Sequence, residues 1–307
     1  HTYYPTWLFD ADERVELDGK TYAHDLIMDE ALEFIRVHRD GPFFCYVPMT
    51  IPHAAMQVPE SYMAPFRDAF PEFEDTIGRY ANTQTRNPIA AFAGMMTKMD
   101  EDVGRIMTLL AELEIDDETV VMFTSDNGPH KEGGHDPKFF DSNGPLTGHK
   151  RTLTDGGIRV PLIVRWPGRV EAGTTSAHVS AHWDFMATAC EIAGIDAPSV
   201  TDGISFVPAL LQQGKQRQHD YLYWEFYEQG GKRAVRMGRW KAIQRNLHKN
   251  AEAPILLYDI TTDIGEQNDV ATMHPDVIER VRAIFDEAST PSAIWSFKAL
   301  EGDTATR

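Results

Sequence analysis

The stretch TVVMFTSDNG (119–128) decides the fold, because it joins a mainly apolar run to a polar turn. The run 119–124 is typical of a strand buried on both faces, as in a parallel sheet between helices. Ligands of open α/β sheets bind outside the carboxyl ends of strands, where Asp126 and Asn127 would lie. Their oxygens suit hard cations such as calcium or magnesium. Asp-Asn-Gly is equally favourable turn sequence, so position alone leaves both interpretations open.

Helices and strands alternate on both sides of this stretch. The spacing of apolar residues predicts helices over 24–39, 96–113 and 180–193. Apolar runs at 42–49 and 160–166 predict two further buried strands. The predicted fold class is therefore α/β, with a mostly parallel sheet sandwiched by helices.

Beyond residue 215 the chain changes to short runs separated by glycines and polar residues. The predicted strands are 221–226, 232–237, 239–244 and 255–259, and a helix is predicted over 275–288. Short strands with tight breaks favour a small antiparallel sheet packed with this helix. We therefore predict an α/β domain over 1–214 and a small α+β domain over 215–307.

Composition excludes several classes of protein. The 307 residues include 29 Lys plus Arg and 47 Asp plus Glu, a net charge of −18, which argues against nucleic-acid partners. Two cysteines, Cys45 and Cys190, are too few for a disulfide framework or a thiolate zinc site, and we expect both to be core thiols. No apolar run is long enough to predict a membrane span.

Three further loop positions carry side chains suited to chemistry. His53 follows the predicted strand 42–49. Lys150, whose compact positive charge suits an anionic group, precedes the pair Gly156-Gly157, which allows close backbone approach. His130 and His135 lie in a long polar loop of the kind that is often functional. Their spacing and the missing third ligand argue against zinc. Taken singly, such residues are more often solvated surface.

Taken in order, the motifs resemble those of the formylglycine-dependent, arylsulfatase-like sulfatases of the alkaline-phosphatase-like superfamily. The resemblance rests on PH (52–53), SDNG (125–128), Lys150, DGGIRVP (155–161), WPG (166–168), AVRMGRWKAI (234–243) and LLYDI (256–260). It runs from about residue 20 to residue 290. One departure is Thr154-Asp155, where Tyr-Glu is commoner in the family.

The resemblance implies a role for each matching residue. Asp126 and Asn127 would ligate calcium, or magnesium, against a sulfate oxygen. His53 would contact the sulfate and help to protonate the leaving oxygen, and Lys150 would bind both. His130 would be an additional substrate contact. The implied reaction is calcium-assisted hydrolysis of a sulfate ester, of a sulfated small molecule or glycan, by a formylglycine.

The family's nucleophile motif, C/S-x-P/A-x-R, is absent from these residues. Cys45 is followed by Tyr-Val-Pro-Met and Cys190 by Glu-Ile-Ala-Gly, so neither fits. The family's early aspartate pair is absent as well. The resemblance therefore implies that the chain is the C-terminal portion of a sulfatase, with an incomplete sheet. It would need the N-terminal portion of the same protein as its partner, and it would be inactive alone.

Two alternatives stay open at this point. One is a phosphoester or phosphonate hydrolase of the same superfamily, which would use a bare Thr or Ser upstream. The other is a non-catalytic protein that binds sulfated glycans. Family resemblance also leads us to expect a periplasmic or secreted protein.

Overall fold

The structure, a computed structural model, describes residues 2–300 in two compact units. The first comprises residues up to 120 and 130–142, and the second comprises 121–129 and the residues from 143 onwards. The helices are α1 (Ala23–His38), α2 (Glu60–Ala69), α3 (Pro88–Glu112), α4 (Asp155–Ile158), α5 (Asp184–Ile192), α6 (Val207–Leu211) and α7 (Pro275–Ala288). The strands are β1 (Trp7–Asp10), β2 (Glu13–Glu16), β3 (Ile77–Tyr80), β4 (Thr83–Arg86), β5 (Val121–Thr124), β6 (Leu162–Arg165), β7 (Leu222–Phe226), β8 (Lys232–Met237), β9 (Trp240–Arg245) and β10 (Ile255–Asp259).

Helix α3 is the centre of the first unit. The side chain of Asn87 accepts the N–H of Ala90 and caps the helix, and Pro88 occupies its first turn, where no donor is lost. At Gly94 the backbone of α2 approaches so closely that an added Cβ would lie 2.9 Å from the carbonyl oxygen of Tyr62. The adjoining core holds buried residues of α2, α3 and the 51–58 segment.

A buried ion network joins α1 to α3. Asp102 accepts hydrogen bonds from His24 at 2.9 Å, from Lys98 at 2.7 and 2.8 Å, and from Arg105 at 2.9 Å. Burial alone would raise the pKa of Asp102, but these hydrogen bonds lower it to about 2. Asp102 is therefore ionised at neutral pH and links the two helices.

The second unit contains a four-stranded antiparallel sheet of order β10-β9-β8-β7. Helix α7 places its apolar stripe, Val281, Ile284 and Phe285, against the sheet residues Val235 and Leu257. Strands β5 and β6 form a separate antiparallel pair in the same unit. The Asp126 segment directly follows β5.

The α/β class and the small C-terminal antiparallel sheet with its helix are confirmed. Pairing outside that sheet differs from the expected parallel arrangement, since β5 and β6 run antiparallel and 42–49 forms no strand. Apolar character predicts burial but does not fix strand direction or supply a pairing partner. The run 42–49 alternates between half-buried and exposed side chains, with Phe44 66% and Tyr46 77% exposed.

Other sequence predictions have mixed outcomes. Cys45 and Cys190 are both unpaired and half-buried, so neither is the fully buried core thiol we expected. The domain boundary near 215 stays a prediction. Among the helices described between residues 2 and 300, none combines the length and apolarity needed to cross a bilayer.

Candidate active site

The segment after β5 lies against the segment that leads into α4. Gly128 donates its N–H to the carbonyl oxygen of Gly157 at 3.0 Å. A Cβ at Gly128 would overlap the carbonyl oxygen of Gly156, so only glycine permits this approach. Next to this contact, Asp126 is exposed and Asn127 is half-buried. The two oxygen donors are thus held at the end of β5 by backbone packing.

Lys150 lies on the adjoining segment of the same unit. Its backbone N–H donates to the carbonyl oxygen of Pro129 at 2.9 Å, which joins its loop to the Asp126 segment. The loop is closed by Thr152, whose Oγ1 donates to His149 O at 2.8 Å and accepts the N–H of His149 at 3.1 Å. The Lys150 side chain is half-buried. The ammonium group of Lys150 and the two side chains that could ligate a cation, Asp126 and Asn127, therefore belong to neighbouring segments.

Buried charges of the C-terminal sheet fix the other end of the Lys150 loop. The fully buried Lys241 of β9 donates to Asp155 Oδ1 at 2.6 Å. Glu266 Oε2 accepts the backbone N–H of Asp155 at 2.6 Å, and its Oε1 lies 3.9 Å from Lys241 Nζ. Burial raises the pKa of Glu266 to about 7, against the lowering effect of Lys241. These contacts hold α4, and with it the glycines that meet Gly128.

His53 and His130 lie together in the first unit. Their ring centroids are 5.9 Å apart, and His53 also packs edge-on to Tyr80. Nδ1 of His53 bonds the carbonyl oxygen of Ala54. His130 Nε2 donates to Pro52 O at 3.0 Å, and the backbone N–H of Glu132 lies 3.2 Å from its Nδ1.

His135, in the same loop, is buried slightly more deeply than His130. It stacks on Phe92 at 3.8 Å and lies 5.1 Å from His130. Neither of its ring nitrogens has a hydrogen-bond partner among the described residues. Burial, with His130 nearby, lowers the pKa of His135 to about 4, so it is neutral at physiological pH.

The predicted site residues thus fall into two sets. His53 and His130 are neighbours in the first unit, and Asp126, Asn127 and the backbone of Lys150 are neighbours in the second. Their roles in metal and substrate binding stay predictions.

Comparison with known proteins identifies the family. The model of the Sulfatase family matches residues 2–195, well over half of the chain. The chain belongs to the sulfatase family. The model of the N-sulphoglucosamine sulphohydrolase C-terminal region matches residues 147–287, which include the Lys150 loop and the antiparallel sheet.

Individual relatives agree with this assignment. Arylsulfatase A from Homo sapiens is 29% identical over 308 aligned positions, which cover 91% of this chain and 53% of the relative. N-acetylgalactosamine-6-sulfatase from Rattus norvegicus is 32% identical, covering 73% of this chain and 38% of the relative. The solved structure of Ps i-CgsB in complex with k-i-k-neocarrahexaose superposes with a TM-score of 0.74 at 26% identity, covering 94% and 60% of the two chains. The sulfatase chain thus spans about half the length of the first of these relatives.

The residues present fit a hard cation only in part. Asp126 and Asn127 offer carboxylate and amide oxygens, and the Asn127 amide N–H also contacts Asp126 Oδ1. Calcium takes six to eight oxygen ligands. Within residues 2–300, no group of three or more His, Cys, Asp or Glu side chains could hold a metal ion. These two residues therefore supply suitable donors but not a complete cage.

Sequence reasoning missed the charged residues that anchor the Lys150 loop. Lys241 lay within the matched motif 234–243, Asp155 was noted only as a departure from the family pattern, and Glu266 was assigned no role. The available signal was a lysine inside a short apolar strand, which needs a buried anionic partner. The partner itself could not be identified, because Asp155 and Glu266 are 111 positions apart.

Proposed function

We propose that this chain forms part of an enzyme that hydrolyses a sulfate ester of a saccharide. The observation that carries the proposal is the pair of backbone hydrogen bonds, Gly128 to Gly157 and Lys150 to Pro129. These hydrogen bonds join the segment that carries Asp126 and Asn127, which could ligate a cation, to the segment that carries the Lys150 ammonium group. The cation that these ligands would bind and the ammonium group would together stabilise the negative charge that develops on the sulfuryl oxygens.

The names of relatives support a saccharide as the substrate class. One relative is an N-acetylgalactosamine-6-sulfatase, and Ps i-CgsB was solved with a neocarrahexaose. A net charge of −18 disfavours polyanionic glycans at long range, but salt screens charges beyond about 8–10 Å. We therefore propose a short sulfated saccharide.

Each predicted residue has a proposed task. Lys150 binds a sulfate oxygen and the bridging oxygen, and His53 delivers a proton to the departing alcohol as the S–O bond breaks. His130 contacts the substrate with a ring whose nitrogens already bind backbone groups. Asp126 and Asn127 provide two ligands for calcium, with magnesium as the second choice, and a bound cation would act as a Lewis acid on the sulfate.

The nucleophile is proposed to come from outside these 307 residues. Neither Cys45 nor Cys190 lies in C/S-x-P/A-x-R, the sequence that is converted to formylglycine in this family. The remaining metal ligands would come from the same outside portion. Residues 1–307 alone are therefore expected to be inactive, and export to the periplasm or the medium stays a prediction.

The test uses the longer gene product, assayed with a chromogenic aryl sulfate with and without a chelator. We expect activity that the chelator abolishes, and Lys150→Met should lower kcat/KM by about 10²–10³-fold, the usual cost of one transition-state donor. Lys138→Met removes an exposed lysine and should leave kcat/KM unchanged.

Three outcomes would contradict parts of the proposal. Full activity of residues 1–307 alone would overturn the outside nucleophile. Faster hydrolysis of an aryl phosphate or phosphonate would favour the other hydrolase class. Binding of sulfated saccharides without any turnover by the longer protein would favour the non-catalytic alternative.

A further inference from the structure

A cavity of about 300 Å³ lies between the Lys150 loop and the end of the β8–β9 hairpin in the second unit. This volume is at the lower end of the range for small-molecule sites. The residues that matter for its chemistry are Thr147, Thr154, Lys232, Arg245 and Asn246. None of the residues that line it is a carboxylate, although the chain as a whole is strongly acidic.

The two cations of the cavity are neighbours on adjacent strands of the sheet. Lys232 and Arg245 are direct partners in the antiparallel register of β8 and β9. Like charges in this position destabilise a strand pair. Burial lowers the pKa of the Lys232 ammonium, and Arg245 lowers it further. Lys232 is buried and Arg245 is exposed, so an anion that contacts both would relieve the repulsion felt by the buried ammonium.

The contacts within the chain do not neutralise this pair. Lys232 donates to the carbonyl oxygen of Arg151 at 2.7 Å and to Gln229 Oε1 at 3.3 Å, both uncharged acceptors. The Arg245 side chain makes no hydrogen bond or ion pair with any of residues 2–300, although it lies near enough to the Glu266 carboxylate to lower the pKa of that group. The nearby Glu228 raises the pKa of Lys232, but its carboxylate pairs with Arg151 at 3.7 Å.

Uncharged donors complete the cavity. Thr147 Oγ1 accepts the side-chain amide of Gln267 at 2.6 Å, which leaves its hydroxyl proton to donate elsewhere. The Asn246 side chain likewise makes no hydrogen bond within the described part of the chain. A guanidinium, an ammonium, an amide and a hydroxyl around one cavity are the donors that an oxyanion requires.

We propose that this cavity binds a second anionic group of the substrate, a sulfate on the saccharide other than the one that is hydrolysed. The identity of the ligand rests on the proposed function, whereas oxyanion binding at Arg245 does not. The cavity would select multiply sulfated saccharides, because a singly sulfated one cannot occupy the cavity and the hydrolytic site at the same time. Lys232 and Arg245 would then act in specificity and not in bond cleavage.

The test measures binding of two defined disaccharides, one monosulfated and one disulfated, to the 307-residue chain by calorimetry. We expect the disulfated disaccharide to bind about tenfold more tightly, which corresponds to about 1.4 kcal/mol. Arg245→Gln should abolish this preference, and Arg245→Lys should retain part of it. Lys249→Gln makes the same charge change at an exposed position of the neighbouring loop and should preserve the preference.

Equal affinity of the unmodified chain for both disaccharides would overturn the proposal. Loss of the preference in Lys249→Gln to the same extent as in Arg245→Gln would also overturn it, since net charge would then explain the effect. Failure of the proposed function is separate, because it shows as missing aryl sulfate hydrolysis by the longer protein. A single aryl sulfate does not report on the cavity.

Discussion

At the scale of single residues, His135 combines burial with unmet hydrogen-bonding capacity. It is 4% exposed and lies among Phe92, Phe140 and His130. An imidazole always carries at least one N–H, and both of its nitrogens lack partners here. A buried polar group without a partner costs free energy, so the unmodified protein is less stable than its packing would allow.

We predict that His135→Phe stabilises the protein most at low pH. The pKa of His135 falls from about 6.5 in the unfolded chain to about 4 in the folded protein, so stability is lost as pH falls from 6.5 towards 4. Phenylalanine cannot be protonated, and the gain at pH 5 should exceed the gain at pH 8 by about 1–2 kcal/mol. Urea unfolding at the two pH values measures this difference. The exposed control His38→Gln should change stability by less than about 0.5 kcal/mol, and an equal gain for His135→Phe at both pH values would contradict the prediction.

At the scale of elements, the contact of α1 with α3 depends on one carboxylate. Asp102 is fully buried and receives hydrogen bonds from His24, Lys98 and Arg105. Breaking a buried ion pair leaves an uncompensated charge, which is more costly than never having formed the pair. Lys98 is itself 3% exposed, and among residues 2–300 it retains only Asp25 as an anionic partner if Asp102 is neutralised.

We predict that Asp102→Asn destabilises the first unit by about 3 kcal/mol, the usual cost of breaking a buried pair. Asp29→Asn is the matched control, because Asp29 binds the same Arg105 at 2.5 Å but is 62% exposed. Its loss should cost less than about 1 kcal/mol. Hydrogen exchange of α1 and α3 amides measures both effects. Similar costs for the two variants would show that burial of Asp102 is not decisive.

The same helix shows what sequence periodicity could and could not predict. The spacing that predicted a helix over 96–113 starts from Met96, which is exposed, whereas the buried face of the helix carries Met95, Lys98 and Asp102. A charge that is buried through pairing looks like surface in a sequence, so the helix was found but its inward face was misjudged. The apolar run 42–49 forms no strand.

Short-range sequence patterns predicted the C-terminal sheet and the local motifs more accurately. The four strands β7 to β10 and helix α7 agree with their predicted bounds within one or two residues, because tight breaks separate them. Contiguous sequence marked Asp126, Asn127 and Lys150 as candidates. The pairing of Lys241 with Asp155, across 86 positions, depends on tertiary packing that no local pattern encodes.

At the scale of the whole molecule, the two units carry buried groups whose titration acts in opposite directions. His135, in the first unit, has a lowered pKa, and Glu266, in the second, has a pKa raised from 4.5 to about 7. An acid that holds its proton more tightly when folded loses stability as pH rises from 4.5 to 7. The first unit should therefore gain stability over the interval in which the second loses it.

We predict that raising the pH from 5 to 7 increases the protection of α3 amides and decreases that of β8 and β9 amides in hydrogen exchange, after correction for intrinsic exchange rates. Each change should be at most about 3 kcal/mol, the limit set by shifts of this size. Glu266→Gln should flatten the response of the second unit alone, because glutamine does not titrate. Asp102, with a pKa of about 2, stays ionised throughout the interval and cannot produce the effect. A parallel change in both units would contradict the prediction, since it would require one common titrating group in place of two opposed ones.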